Sequence, residues 1–208
     1  MSMSSQMGFN IRESHSNEKE KSVCDKYNLT QVGGNRTKID GTNENLNVSI
    51  KNTKSSSTQV HLTTQKKFSK KFNLDDNCRL YIELFCGNPL MKNNGKDRYN
   101  NNEISNELKE DFLTFLYNNK RDIIDYIISN DSNISLVIWR DLNKEIDYQL
   151  TYEQIMTKIE NCTWSFKKGG VHLKNENGKT YFHFQRESKS GLNNRYNVLW
   201  HIHKNLYL

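Results

Sequence analysis

The sequence predicts an α+β fold with an α/β core, in which a central mixed β-sheet is flanked by helices and followed by a C-terminal β-hairpin region. Three observations carry this reading. Apolar and polar residues alternate over Leu46-Asn47-Val48-Ser49-Ile50-Lys51, the pattern of a half-buried strand. Between about Glu103 and Ser129, the residues Ile104, Leu108, Phe112, Phe115, Leu116, Ile123, Ile124 and Ile127 recur at helical spacing. In the last fifty residues, Asn177-Gly178 separates the β stretches beginning at Gly170 and Tyr181 and gives the signal of a tight hairpin turn.

The elements follow in order. Ser16 to Tyr27 offers an N-cap, acids in the first turn and Val23, Cys24 and Tyr27 at helical spacing, which predicts a short amphipathic helix. Gly33-Gly34 breaks the chain. Thr37 to Asp40 reads as a strand entering a turn over Gly41 to Asn45, and Leu46 to Lys51 returns as the second strand of a hairpin. Gln59 to Leu62 and Leu80 to Phe85 are expected to be the third and fourth strands. One long helix or two consecutive ones should cover Glu103 to Ser129, with Asn118-Asn119 as the break. Ile134 to Trp139 reads as a buried strand, and Thr151 with Gln154 forms a capping box ahead of Ile155, Met156 and Ile159. Three β stretches close the chain at Gly170 to Leu173, Tyr181 to Arg186 and Val198 to His203. No internal repeat is present.

A chain of 208 residues suits a single domain, 1–208, with three stretches of different character at 16–72, 73–160 and 161–208. Mean hydropathy is −0.89, and no apolar run approaches the roughly 18 residues of a membrane-spanning helix, so an integral membrane protein is excluded. The first residues lack the basic and apolar segments of a secretory signal, which leads to the expectation of a cytoplasmic protein. Cys24, Cys78, Cys86 and Cys162 lie far apart, without the spacing of a zinc knuckle or a disulfide framework.

The net charge of +6 is unevenly spread along the chain. Residues 1–72 carry 12 basic and 6 acidic side chains, 73–160 carry 10 and 16, and 161–208 carry 8 and 2. Two basic ends flank an acidic middle. Convergence of the ends would make a surface for a polyanion, with the middle turned outward.

The segment bearing chemistry is Gly34-Asn35-Arg36-Thr37-Lys38-Ile39-Asp40-Gly41 together with Asn47-Val48-Ser49-Ile50-Lys51. An Asp at the end of one strand and a Lys on the next can hold a divalent metal beside an ammonium group. Phosphodiester hydrolysis needs both: a hard cation with oxygen ligands to acidify water and offset charge at phosphorus, and a second cationic group close by. Along a strand Ser49 and Lys51 share a face, while Ile50 turns to the core.

This pattern resembles the PD-(D/E)XK nuclease superfamily, in which an Asp at a hairpin is followed ten to twenty residues later by an acid-x-Lys on a hydrophobic strand. Within it, the chain is most similar to a type II restriction endonuclease, over roughly residues 16–64. The resemblance implies a restriction-endonuclease-like fold and one or two Mg²⁺ ions. It implies double-stranded DNA as substrate and a homodimer cutting a short specific site. Asp40 and Glu20 would then hold metal with the Ile50 carbonyl, and Lys51 would assist the attacking water. Ser49 stands where the second acid normally does, so Glu20, or Glu18 in its place, supplies the missing ligand from the helix.

Gln59 is a candidate for contacting a phosphate or orienting the water. Lys38, Lys54, Lys66 and Lys67 are candidate backbone contacts, which set register without reading sequence. The polar stretch between the last two strands carries the side chains suited to base edges, and Gln185, Arg186, Lys189, Asn193, Asn194 and Arg195 are the expected DNA-reading residues. His183, His201 and His203 are expected at the edge of the core, not around a metal, because no Cys or acid stands at ligand spacing. Two rival readings remain: a non-catalytic nucleic-acid-binding protein on the same basic faces, and a structure-specific repair or junction nuclease of the same superfamily.

Overall fold

The structure, a computed structural model, describes residues 18–32, 37–88, 90, 96–187 and 196–208. The described residues form two compact units: those within 1–58 and 128–155 with Tyr207, and those within 59–127 and 156–206 with Leu208.

The first unit holds a mixed five-stranded sheet in the order β1-β2-β3-β5-β6, formed by Thr30–Gln31, Gly41–Thr42, Asn47–Thr53, Leu136–Asp141 and Ile146–Thr151. β3 and β5 run parallel, with Ser49 opposite Val137 and Lys51 opposite Trp139, and the other pairings are antiparallel. Helix α1, over 18–26, lies on this sheet. Its Val23 and Cys24 join Leu29, Val48, Ile50 and Ile138 in one buried cluster. Helical periodicity on α1 and strand alternation on β3 thus meet in the same core. The end of α1 is tied to β6 by Asp147, whose buried carboxylate accepts from Lys26 Nζ at 2.5 Å and Tyr27 Oη at 3.2 Å.

The second unit carries the sheet β4-β10-β9-β8-β7, made of Ser57–Thr64, Asn197–His203, Thr180–Arg186, Gly170–Lys174 and Thr163–Lys167. From β7 to β10 the pairings are antiparallel. Helices α2 (Gln65–Lys71), α3 (Asp76–Cys86), α4 (Asn106–Asn118) and α5 (Lys120–Ile128) accompany it. Phe85, Phe112 and Trp200 pack around Phe184 with ring centroids 5.2 to 5.9 Å apart. Helix α6 (Tyr152–Ile159) opens with the expected capping box: Gln154 N–H donates to Thr151 Oγ1 at 3.1 Å, and Thr151 N–H to Gln154 Oε1 at 2.9 Å. Among the described residues, no helix is long and apolar enough to cross a membrane.

The α+β class, the mixed sheet and its flanking helices agree with the sequence pattern, and three local assignments change. Leu80 to Phe85 belongs to helix α3, not to a strand. Asp75 caps that helix by accepting from Cys78 N–H, and Cys78, Tyr81, Ile82 and Phe85 are buried along one side. Thr37 to Asp40 is irregular instead of a strand, because the hairpin turn sits at Asn43 to Leu46 and leaves only Gly41–Thr42 to pair with β3. β6 and β7 are strands that the sequence pattern does not announce. The predicted break at Gly33-Gly34 lies outside the described residues.

Candidate active site

Asp40 precedes β2 directly, and its N–H donates to the Val48 carbonyl at 2.8 Å, continuing the hairpin ladder by one step. Two side chains shape the approach to it. Ile39 N–H donates to Thr37 Oγ1 at 3.1 Å, and Lys38 N–H reaches Ser132 Oγ at 3.4 Å. These local hydroxyl-to-backbone bonds replace the strand that the sequence suggests.

One oxygen of Asp40 gathers three groups from β3. Its Oδ2 accepts from Ile50 N–H at 2.6 Å, and it lies 3.3 Å from Ser49 Oγ and 3.4 Å from Lys51 Nζ. The same ammonium donates to the Ile50 carbonyl at 3.2 Å. The side chains of Lys51 and Asp40 are 17% and 21% exposed, so the ion pair is shielded yet open to a ligand. Among the described residues, Asp40 Oδ1 accepts no hydrogen bond. Ser49 is buried.

Helix α1 closes the other side. Cys24 Sγ lies 3.8 Å from the Asp40 carbonyl, and burial together with the charges of Asp40, Glu20 and Asp25 pushes its thiol pKa up. Glu20 lies one turn before Cys24 on the same helix and is half-buried. Lys38 joins the group as well. Burial, with Lys51 next and partly opposed by Asp40, lowers its amine to about 8. The sequence marks Lys38 only as a phosphate contact. Its place beside Lys51 and Asp40 arises from the irregular 37–40 segment, which alternation counts miss.

The oxygen donors suit a hard cation in kind: a carboxylate, a backbone carbonyl and a hydroxyl. Their number is the departure. Among the described residues, no group of three His, Cys, Asp or Glu side chains is placed to hold a metal ion.

The remaining candidates lie on other elements. Gln59 is exposed on β4 and belongs to the second unit, while Lys54 is exposed after β3. Lys66 and Lys67 are exposed on α2 around the buried Phe68. Gln185 is half-buried and pairs with His201 Nε2 at 3.2 Å. Arg186 turns inward: its guanidinium donates to the carbonyls of Phe85 and Tyr99 at 3.3 and 2.9 Å and to Asn100 Oδ1 at 2.7 Å. Lys189, Asn193, Asn194 and Arg195 lie outside the described residues. The histidines form a stack across three strands, in which His183 lies between His172 and His201 with centroids 5.1 and 4.5 Å away, and His183 Nδ1 is 2.6 Å from His203 Nε2.

No protein-family model matches the sequence, and no curated protein does. Among solved structures, the chain is similar to the restriction endonuclease MspI in complex with its cognate DNA. The TM-score is 0.51 at 10% sequence identity, over 83% of this chain and 69% of that chain. At that identity the likeness is one of fold, and the fold is restriction-endonuclease-like.

Proposed function

We propose that this protein is a divalent-metal-dependent endodeoxyribonuclease of the PD-(D/E)XK type, which hydrolyses phosphodiester bonds at a short specific site in double-stranded DNA. The observation that carries the proposal is the convergence of Asp40, Ser49, Lys51 and the Ile50 carbonyl on a hairpin of a restriction-endonuclease-like fold. That the structural neighbour is itself a DNA complex favours duplex DNA as substrate.

Asp40 through Oδ1 and Ile50 through its carbonyl would hold Mg²⁺, with Glu20 added from α1 to offset the neutral Ser49. When bound, such an ion lowers the pKa of a water ligand and offsets charge on the scissile phosphate. Ser49 and the Ile50 N–H fix the carboxylate of Asp40 so that its second oxygen stays available. Lys51, anchored to both Asp40 and the Ile50 carbonyl, keeps a positive charge where the pentavalent phosphate builds up its negative charge. The chain would act as one domain, 1–208, and two copies of it would cut the two strands as a homodimer.

A non-catalytic DNA-binding role is the second reading, favoured by the neutral Ser49 beside Asp40 and Lys51 and the lack of a three-ligand group among the described residues. Incubation with phage DNA and Mg²⁺ separates the two. Discrete fragments support site-specific cleavage, whereas salt-sensitive binding with no product supports the binder. Cleavage confined to branched substrates in a parallel panel would indicate a junction or repair nuclease.

A further inference from the structure

In the second unit, α2 and α3 enclose a cleft of about 490 Å³ that the hairpin chemistry does not use. Lys66 and Lys70 stand one turn apart along one wall, with Ser69 beside them and Asn73 just past the helix end, and Arg79 and Glu83 stand one turn apart on the other. Three cations thus oppose one carboxylate, and that carboxylate is engaged by Asn88 Nδ2 at 2.9 Å. Among the described residues, neither Lys66 nor Lys70 pairs with a carboxylate. Arg79 pairs with Asp76, but both side chains are exposed, and such surface pairs exchange readily for a stronger anion. Among the described residues no aromatic ring lines the cleft and Leu74 is its single aliphatic side chain, so these residues offer a base nothing to stack on. The donors are instead those that phosphate oxygens accept from: ammonium, guanidinium, hydroxyl and amide.

We infer that the α2–α3 cleft is a sequence-independent docking site for the sugar-phosphate backbone of duplex DNA, with Lys66, Lys70 and Arg79 as its phosphate contacts. This rests on the reading of the protein as a DNA-cleaving enzyme and adds to it an anchor remote in sequence from the Asp40 hairpin. Lys67, which does not line the cleft, is not part of it.

The test is the salt dependence of duplex binding by the full-length protein in EDTA, so that cleavage plays no part. Each phosphate contact contributes about 0.9 to the slope of log K against log salt. Lys66→Gln, Lys70→Gln and Arg79→Gln should each lower the slope by up to about one, equally on unrelated sequences, and the triple variant by about two to three. Lys144→Gln, at an exposed turn, should leave it unchanged. Circular dichroism of the triple variant establishes that it is folded. If a folded triple variant keeps the wild-type slope, the inference is overturned. It is equally overturned if wild type shows no duplex binding, or if the triple variant loses only the binding of pyrophosphate or AMP. The nuclease reading fails separately: wild type that binds with the predicted slopes but yields no product with Mg²⁺ retains the anchor and loses the enzyme.

Discussion

The ammonium of Lys51 lies 3.4 Å from Asp40 Oδ2 and 3.2 Å from the carbonyl of Ile50, so one cation holds together the last residue before β2 and the backbone of β3. Residues eleven positions apart in sequence become neighbours because the hairpin register sets Gly41 opposite Val48. Asp40→Asn keeps the shape of the side chain and an acceptor for the Ile50 N–H. It and Lys51→Ala should each reduce DNA cleavage by about a hundredfold or more while duplex binding persists, as expected for groups that act on the transition state. Single-turnover cleavage beside a binding isotherm checks this.

Ser49 is buried, with its hydroxyl 3.3 Å from Asp40 Oδ2. Ser49→Ala should cost about 0.5–1.5 kcal/mol, the usual worth of one hydrogen bond, and retain cleavage. Ser49→Asp sets a second carboxylate against the first, and like charges in a buried place repel. Its melting temperature should fall in EDTA and recover with Mg²⁺ by more than that of wild type. Equal Mg²⁺ shifts in the two proteins would argue against position 49 as the place of a metal ligand.

Gly41 has no room for a side chain. A Cβ there would stand 2.8 Å from Cys24 Sγ and 3.2 Å from Leu29, so the hairpin and α1 approach as closely as glycine allows. Gly41→Ala should destabilise the protein by about 1–3 kcal/mol, the range for overpacking, and move the helix that carries Glu20. Urea denaturation measures the loss. Adding Cys24→Ala should restore part of it, because the nearest clash is then removed.

The imidazole stack makes stability depend on acid. Burial, reinforced by Lys167, His203 and Lys174, lowers His172 to about 4. Burial with His201, His203 and His172 lowers His183 to about 3, opposed only by the hydrogen bond that Gln185 Oε1 accepts from its Nε2. Burial with His201 and Lys167 lowers His203 to about 4, and burial lowers His201 too. The unfolded chain, with histidines near 6.5, binds more protons than the folded one below that pH. Stability is therefore fully present above about pH 6.5, falls as pH drops toward 4, and stops falling once the folded histidines titrate. The urea midpoint should decline through this window, and His183→Gln should flatten the decline.

Much of this is legible in the sequence wherever neighbours in space are neighbours along the chain. Asp40, Ser49 and Lys51 share one hairpin, and the capping box of Thr151 and Gln154 spans a single turn, so spacing alone locates them. The Asn119 break between α4 and α5 is visible in the same way. Leu80 to Phe85 misleads because a short apolar run suits strand and helix alike, and the decision rests on the Asp75 cap and on burial at 78, 81, 82 and 85. Arg186 is hidden for a different reason: its three partners lie 86 to 101 residues away. Only the folded chain shows that its guanidinium is directed inward. The same holds for the α2–α3 cleft, since Lys70 and Arg79 carry no motif and acquire meaning by facing each other.

The most direct measurement compares wild type with Lys51→Ala on phage DNA in Mg²⁺, at concentrations where both bind the duplex. Wild type should yield discrete fragments whose ends map to one short sequence, and Lys51→Ala should yield none. Fragments of equal intensity from both proteins, or none from the wild type, would contradict the assignment of the Asp40–Lys51 hairpin as a nuclease centre.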